Sequence, residues 1–377
     1  MVEARPQVLS AIACNVDASI LSAAFPLLQA GRVEALEWSV DALFGQRTLP
    51  DWFAELLTTY GHEQRLIGHG VYFSLLSGRW TAEQQQWLQQ LRELSSRFGF
   101  DHVTEHFGSF TGENFHTGAP LPVPYTAAAV RLGQDRLARI QEACHCPVGL
   151  ENLAFAYALD DVKRHGAFLE ELLAPVNGFL ILDLHNLYCQ LHNFALSYEE
   201  LIGLYPLDRV REIHISGGSW QDSAQGPGHR VRRDTHDDAV PEAVFELLGR
   251  TMPRCPHLKY VVLEQLGNGL TTERSRARFR SDFGKMERAV QRHRAGLPAR
   301  AHEAFLPLLP AVSDPAPEDE ALHLQQQQLT HILETAATPA EAERRLQASS
   351  LARSDWKTET WAPHMLETAL HIAQKWK

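Results

Sequence analysis

The chain has 377 residues, of which 44% are hydrophobic and 21% charged, a composition typical of soluble globular proteins with one large domain and an appendage. The net charge of −11 argues against general binding to nucleic acid or an anionic membrane. The N-terminal sequence lacks the features of a signal peptide, and no apolar run of about 18 residues predicts a transmembrane helix. The five cysteines fit no zinc motif. Because the sequence shows no secretion signal, we expect reduced thiols and a cytoplasmic location.

Eight short apolar runs predict eight β-strands. In chain order they read VLSAIACNV, VEALEWS, RLIGHGV, DHVTEH, PVGLEN, FLILDL, VREIHIS and YVVLEQ. The segments between them carry helical signals, such as the capping boxes at Thr81 with Gln84 and at Ser197 with Glu200. Strands that alternate with helices over about 250 residues predict an α/β fold, a (β/α)₈ TIM barrel of the xylose-isomerase-like type.

Two long loops and a tail complete the predicted organisation. Residues 107–126 and 216–238 follow strands, so both loops are expected on the face where such barrels carry substrate pockets. The barrel is predicted to span residues 1–298, followed by a Pro-rich acidic linker at 299–318. Residues 319–377 predict a small helical extension, with helices at 319–336, 339–349 and 361–376. Its role is open: it could pack on the barrel, cover the site or dock a partner.

The predicted strands end in residues that can bind metal. The last six runs end in His69, His106, Glu151, Asp183, His214 and Glu264, and the loop after strand seven ends in Asp234 and His236. Each residue alone could be a buried polar group with a protein partner. Eight such residues at one end of a barrel would need a partner at every position, whereas a metal cluster satisfies them together. The set exceeds the needs of one ion and predicts two or three.

The kinds of ligand narrow the metal and suggest roles. Imidazoles and carboxylates without cysteine favour Fe, Mn or Zn over Cu(I). Glu151 lies on the strand between the His69 side and the Asp183 side, so its two oxygens are predicted to bridge two ions, and Glu151 and Asp183 are the predicted catalytic residues. Glu105 is expected to face away from His106, and Glu212 away from His214.

A family resemblance emerges from seven short elements and their order. They are HGV at 69–71, EH at 105–106, EN at 151–152, LDLHNLY at 182–188, EIHISGG at 212–218, DTH at 234–236 and LEQ at 263–265. With these elements the chain resembles, over residues 8–290, the multinuclear non-haem iron-dependent oxidative enzymes. That family modifies cysteine residues of ribosomally made precursor peptides, as in methanobactin and 3-thiaglutamate biosynthesis.

The resemblance implies a distribution of ligands over three irons. His69, His106 and Glu151 would hold one, and Glu151, Asp183, His214 and Glu264 a second. Asn186, Asp234 and His236 would hold a third or optional iron. The chain departs from the family twice, with His185 where asparagine is frequent and Gly218 where a second histidine is frequent. His185 is therefore a candidate substitute ligand.

The resemblance also implies the reaction and its participants. It implies a mixed-valence Fe(II)/Fe(III) cluster, O₂ as co-substrate, a precursor peptide with a cysteine, and a small partner protein that presents the leader peptide. The fate of the cysteine stays open between an oxazolone with a thioamide and excision of the β-carbon. Arg230, Arg232 and Arg233 predict peptide binding, because guanidinium groups pair with carboxylates, although a solvated basic loop is the alternative.

Three other functions remain open. A zinc-dependent phosphodiesterase of the endonuclease IV kind would use a similar ligand order. Such barrels carry a histidine where this chain has Asn186, and the acidity of the chain disfavours a DNA substrate. A xylose-isomerase-like sugar isomerase or epimerase is the second alternative. The third is a non-enzymatic, metal-bound scaffold that acts through its helical tail.

Overall fold

A closed barrel of eight parallel strands forms the centre of the molecule. The computed structural model describes residues 8–43, 49–111, 118–224, 228–295 and 304–375. The strands there are β1 (Leu9–Ala13), β2 (Ala35–Ser39), β3 (Leu66–His69), β4 (His102–His106), β5 (Ser109–Phe110), β6 (Pro120–Leu121), β7 (Val148–Glu151), β8 (Phe179–Asp183), β9 (Val210–Ile215), β10 (Trp220–Asp222), β11 (Arg230–Arg232) and β12 (Tyr260–Leu263). The barrel order is β1-β12-β9-β8-β7-β4-β3-β2. The eight predicted runs are these eight strands, and the predicted TIM barrel is confirmed.

The register of the barrel brings the strand ends to one rim. His106 pairs with Glu151 across β4 and β7, and Asp183 pairs with His214 across β8 and β9. His69 pairs with Ser39 of β2. Parallel strands share one direction, so these C-terminal ends lie at the same level, where barrels of this kind carry their chemistry.

Helices surround the barrel and bury its outer face. They are α1 (Ala18–Gln29), α2 (Asp51–His62), α3 (Ala82–Phe98), α4 (Ala127–Cys144), α5 (Leu159–Leu173), α6 (Leu184–Asn193), α7 (Tyr198–Ile202), α8 (Glu242–Thr251) and α9 (Glu273–Ala295). Both predicted capping boxes are present, at the starts of α3 and α7. The largest buried side chains include Trp38, Phe53 and Phe279, which fill the layer between strands and helices.

Each of the two long loops contains a short antiparallel hairpin. Strands β5 and β6 pair in the loop after β4, and β10 and β11 pair in the loop after β9. Residues 112–117 and 225–227 of these loops lie outside the described part of the chain. The hairpins pair backbone groups of the loops at the C-terminal end of the barrel.

The stretch predicted to be a linker lies against the barrel. Phe305 is buried at the N-terminal end of β8, with its ring centroid 5.8 Å from that of Phe179. Gln141 of α4 accepts hydrogen bonds from the backbone N–H groups of Leu308 (3.1 Å) and Leu309 (2.8 Å). These contacts attach the segment to β8 and α4.

The tail forms three helices over the loops at the C-terminal end of the barrel. They are α10 (Glu320–Thr335), α11 (Pro339–Gln347) and α12 (Pro363–Lys375). Gln326 donates to the carbonyl of Leu76 (2.8 Å), and the N–H of Ala362 donates to the carbonyl of Tyr157 (2.9 Å). Trp356 and Trp361 are buried, whereas Trp376 lies outside the described residues. Among the described helices, none is both long and apolar enough to cross a membrane.

Candidate metal centre

His69 and His106 present one ring nitrogen each to Glu151. Their Nε2 atoms both lie 3.5 Å from Glu151 Oε2. The Nδ1–H of His106 donates to the carbonyl of Gly70 (3.2 Å), and that of His69 donates to the hydroxyl of Thr104 (2.8 Å). The Thr104 hydroxyl donates to the carbonyl of Gly68, so its oxygen is free to accept. These contacts leave the Nε2 lone pairs directed at Glu151, which is the arrangement of metal-binding histidines.

The electrostatic environment keeps both rings neutral. Burial lowers the pKa of His69 well below its usual value, and the neighbouring His106 lowers it further. Burial also lowers the pKa of His106, against the opposing hydrogen bond to Gly70. Only the neutral imidazole can bind a metal ion, so these shifts favour ligation.

The second group of ligands shares Glu151 with the first. Glu151 Oε1 lies 3.9 Å from His214 Nδ1, and His214 Nδ1 lies 3.4 Å from Glu264 Oε2. The ligand atoms of Glu151, Asp183, His214 and Glu264 all lie within 4.8 Å of one another. Glu151 therefore turns one oxygen to each group, as a bridging carboxylate does.

The carboxylates are crowded and buried. Burial raises the pKa of Glu151 well above its usual value, and Asp183 and Glu264 add to that rise despite the opposing charge of His214. Burial and then Asp234 raise the pKa of Asp183 to about 7. A cation placed between them would stabilise the charged forms and remove this cost.

Unsatisfied buried atoms test whether these residues fit a metal centre. Among the described residues, atoms without a hydrogen-bond partner include Glu151 Oε2, Asp183 Oδ2, Asn186 Oδ1, His214 Nδ1 and Glu264 Oε2. Buried polar atoms in folded proteins are nearly always satisfied. Five of them within one group of predicted ligands fit a site for metal ions.

Asp234 and His236 form a third group at the edge of the second. Asp234 Oδ1 lies 2.7 Å from His236 Nε2, and His236 Nδ1 lies 3.2 Å from Glu264 Oε1. Burial opposes ionisation, but His236 and His185 outweigh it and lower the pKa of Asp234. Burial likewise opposes protonation of His236, but Asp234 and Glu264 raise its pKa. The opposite shifts are those of a buried ion pair, which a cation bound by the carboxylates would replace.

His185 uses both ring nitrogens in hydrogen bonds. Arg232 Nε donates to His185 Nε2 (3.1 Å), so the proton of the neutral ring is on Nδ1, which lies 3.1 Å from Asp234 Oδ1. In this arrangement His185 orients Asp234. Its ring also occupies the space beside Gly218, where a Cβ would lie 2.8 Å from His185 Cε1. The two departures from the family pattern are therefore in contact.

Sequence reasoning missed two carboxylates that hold His214 from behind. Glu37 Oε2 of β2 lies 3.0 Å from His214 Nε2, and Glu212 Oε1 lies 3.2 Å from the same atom. The expectation that Glu212 faces away was wrong, because residues two apart on a strand share a face. The signal for Glu37 was an acid inside the apolar run VEALEWS. Glu105 faces away as expected, and its Oε1 accepts from the N–H of His106 (2.9 Å).

A buried network continues from Glu212 toward the other end of the barrel. Glu212 Oε2 lies 2.7 Å from His102 Nε2, and His102 Nδ1 lies 2.9 Å from Asp101 Oδ2. Arg211 donates to Asp101 (2.9 Å), and Lys259 also pairs with it. Burial alone would raise the pKa of Glu212, but His102 and His214 outweigh it and lower that pKa. Burial raises the pKa of Glu37 to about 7, against the lowering effect of His214. The negative charges of Glu212 and Glu264 add to the rise.

The three arginines predicted to bind substrate occupy different environments. Arg232 is buried, donates to His185 and lies over the rings of Tyr188 and Trp220. Arg230 is exposed and pairs with Asp222 (3.3 Å), and Arg233 is half-buried and donates to Gln221. Arg230 and Arg232 share a contact, because both guanidinium groups lie over the ring of Trp220 (5.3 and 5.2 Å). Among the described hydrogen bonds of these three arginines, that of Arg232 to His185 reaches a predicted metal-site residue.

A match to a family model shows which protein family the chain belongs to. The model described as the RiPP precursor modification enzyme MbnB/TglH/ChrH matches residues 36–272. The chain belongs to this family. All nine predicted metal ligands and His185 lie within the matched residues. The matched segment includes six of the eight barrel strands in full and all of β2 except Ala35. The family is described as enzymes that modify the precursors of ribosomally synthesised and post-translationally modified peptides (RiPPs).

Two curated relatives are UPF0276 proteins. A UPF0276 protein of Caulobacter vibrioides (strain NA1000 / CB15N) is 32% identical over 182 residues, which cover 48% of this chain and 61% of that protein. The UPF0276 protein AM1_3026 of Acaryochloris marina is 30% identical over 189 residues, which cover 49% of this chain and 64% of that protein. The chain thus spans less than two thirds of the length of these relatives.

Two solved structures match the chain at low sequence identity. An L-ribulose 3-epimerase gives a TM-score of 0.47 at 12% identity and covers 78% of this chain and 100% of its own. A D-psicose 3-epimerase from Clostridium cellulolyticum H10 gives a TM-score of 0.46 at 11% identity and covers 76% of this chain and 99% of its own.

Proposed function

We propose that this protein is an O₂-dependent enzyme with two or three iron ions that oxidises a cysteine residue of a ribosomally synthesised precursor peptide. The observation that carries the proposal is the position of Glu151, whose Oε2 faces His69 and His106 while its Oε1 faces His214. The two ligand groups on either side of one carboxylate support a centre with more than one ion. The family of precursor-modifying enzymes supports a peptide as the substrate.

The ligand set favours iron on chemical grounds. Imidazole and carboxylate ligands suit Fe(II) and Fe(III), and none of the described residues in the candidate groups is a cysteine. Iron in mixed Fe(II)/Fe(III) states would supply binding of the substrate thiolate and reduction of O₂. Glu151 and Asp183 are the proposed catalytic residues, because their unpaired carboxylate oxygens would hold the iron at which the substrate reacts.

The surrounding residues have positioning roles in this proposal. Asn186 N–H donates to Asp183 Oδ1 (2.5 Å), which leaves Oδ2 of that carboxylate for the centre. The side chain of Asn186 donates to the carbonyl of Asn152 (2.8 Å) and so fixes the turn after β7. His185 holds Asp234, and Glu37 with Glu212 fixes the ring of His214. Such contacts keep the ligands in place before the substrate binds.

The proposed substrate approaches from the C-terminal end of the barrel, where the hairpins and the extension lie. A small partner protein that presents the leader peptide is part of the proposal, as is binding of the peptide by Arg230, Arg232 and Arg233. The buried position of Arg232 suits a contact with the centre, and the exposed position of Arg230 suits a contact with a passing peptide. The net charge of −11 supports a peptide over a nucleic acid as substrate.

Elemental analysis of protein purified without added metal tests the metal. Iron at about two to three equivalents per chain is the expected result, whereas zinc alone would favour a hydrolytic enzyme.

The chemistry is tested with a cysteine-containing precursor peptide whose mass is followed with and without O₂. A mass change only in the presence of O₂ and iron is expected. Full turnover without O₂ would contradict the oxidative function.

A further inference from the structure

A pocket opens between helix α5, the loops after β4 and β7, and the C-terminal extension. The space between its side chains, including the mouth open to solvent, is about 600 Å³. Its floor is aromatic: Phe107 directly follows His106 and packs edge-on against Phe168 at a centroid distance of 4.9 Å. Tyr125 stacks on the same ring at 4.5 Å. Walls of this kind accept an apolar, preferably aromatic, group.

One buried polar side chain in this pocket has no partner for one of its atoms. His165 lines the pocket and is 5% exposed, and its Nε2 atom makes no hydrogen bond to any described residue. Burial lowers the pKa of His165 to about 3, so the ring is neutral near pH 7. A neutral imidazole has one nitrogen that donates and one that accepts.

The neighbours of His165 decide which nitrogen donates. Gln190 Nε2 lies 2.7 Å from the carbonyl of Leu153, which can only accept, so this atom is the amide NH₂ group. Its second hydrogen faces His165 Nδ1 at 3.4 Å, and Gln190 Oε1 accepts from the hydroxyl of Tyr205 (3.2 Å). His165 Nδ1 is therefore the acceptor, and the unpaired Nε2 carries the hydrogen.

We propose that this pocket is a subsite for a phenolic side chain, a tyrosine of the precursor peptide, whose oxygen accepts a hydrogen bond from His165 Nε2. A phenylalanine would leave the buried N–H group unpaired, and the nitrogen of tryptophan only donates. A charged side chain would lose its hydration against the aromatic floor. The identity of the occupant as part of a peptide rests on the proposed function, whereas the phenol specificity rests on the pocket alone.

The rim supports a peptide as the carrier of this group. Lys357 of the extension pairs with Asp160 of α5 (3.3 Å), and Arg164 lies over the ring of Tyr125 at 4.8 Å. The rim thus combines exposed charges of both signs around an apolar floor, which suits the polar backbone of a peptide whose side chain enters the pocket.

Binding of small probes to the purified, metal-containing protein tests the subsite. The dissociation constants of p-cresol and toluene are measured by titration with NMR detection. We expect p-cresol to bind about fivefold more tightly than toluene, the effect of one hydrogen bond. His165→Phe should remove this preference, and His165→Gln should keep it, because the glutamine amide donates from nearly the same place. Equal binding of both probes to the wild type, or a preference that survives in H165F, would overturn the proposal.

Two further measurements keep the test independent of folding and of the metal. If H165F does not fold, the dissociation constant of 4-methylanisole is measured on the wild type, because the oxygen of this probe accepts hydrogen bonds and cannot donate them. We expect it to bind more tightly than toluene. Equal binding of these two probes would overturn the proposal. Tighter binding of N-acetyl-L-phenylalaninamide than of p-cresol would assign His165 to a peptide carbonyl instead. Zinc in place of iron would contradict the proposed function but leave the binding of p-cresol unchanged.

Discussion

Glu151 connects the two ligand groups through its own two oxygen atoms. Glu151→Gln preserves the size of the side chain but removes its charge, so both groups lose a shared anionic ligand. We expect the variant to lose most of the bound iron, measured as equivalents per chain by elemental analysis. Glu105→Gln is the matched control, because Glu105 is a buried acid on the neighbouring strand β4 that faces away from the centre. Wild-type iron content in E151Q would show that the ions are bound elsewhere.

Asp101 is the anion that balances the charges at the far end of the buried network. Burial would raise its pKa, but hydrogen bonding by His102 and the charges of Arg211 and Lys259 lower it below the usual range. Asp101→Asn leaves these cations without a counter-charge. We expect the free energy of unfolding at pH 7 to fall by about 3 kcal/mol in denaturant titrations. The exposed Asp208→Asn is the control and should change little.

The pH dependence follows from the sign of the same shift. The pKa of Asp101 is lower in the folded chain than the value of about 3.9 in the unfolded chain, so ionisation stabilises the fold above that value. The contribution is lost as the pH falls toward the folded pKa, which means below about pH 4. The difference in stability between wild type and D101N should therefore narrow from pH 5 to pH 3. A constant difference over this range would show that the carboxylate charge is not its cause.

At the residue scale, the sequence could predict the front of the centre better than its support. His69, His106 and Glu264 stand at the ends of apolar runs, where a polar residue is conspicuous. Glu37 and Glu212 stand inside their strands, and an acid there could equally face a helix, as Glu105 does. The closure of the barrel brings Glu37 of β2 into contact with His214 of β9, three strands away, and no local sequence pattern predicts that contact.

At the scale of elements, the segment after α9 has a different role from the predicted spacer. Its composition predicts a linker, but Phe305 anchors it under the barrel beside Phe179 and His257. A Pro-rich sequence carries no periodic signal for such an anchor, because one buried ring is enough. The helix starts were predictable, since capping boxes act within four residues of the chain.

Phe305→Ala measures the strength of this anchor. Phe305 is 4% exposed, and its loss would leave a cavity against Phe179, so we expect the free energy of unfolding to fall by about 3 kcal/mol. Leu306→Ala is the matched control, because Leu306 is the next residue and is 60% exposed. A similar small change in both variants, measured by denaturant titration, would return the segment to the role of a spacer.

At the scale of the whole molecule, the barrel carries all the predicted ligands, and the C-terminal extension packs on the loops at the C-terminal end of the barrel. Glu367 of α12 accepts hydrogen bonds from the Ser223 hydroxyl (2.7 Å) and the Ala224 N–H (3.0 Å) beside the β10–β11 hairpin. The ring of Tyr157, in the loop after β7, stacks on Trp361 at 3.9 Å. The extension thus contacts loops from two sides of the centre, which a role in holding a substrate would require.

Removal of residues 319–377 tests whether the barrel binds the iron and the extension helps to bind the peptide. The truncated chain keeps the Phe305 anchor. No described residue of α10, α11 or α12 is among the predicted ligands, so the truncated chain should retain its iron. Its affinity for the precursor peptide should fall about tenfold or more, because the rim residue Lys357 is lost and the hairpin loses its contact with Glu367. Glu367→Ala in the full chain should weaken peptide binding in the same direction without the exposure of Tyr157 to solvent. Loss of iron on truncation would show that the extension closes the centre itself, and unchanged peptide affinity in both proteins would show that it only stabilises the barrel.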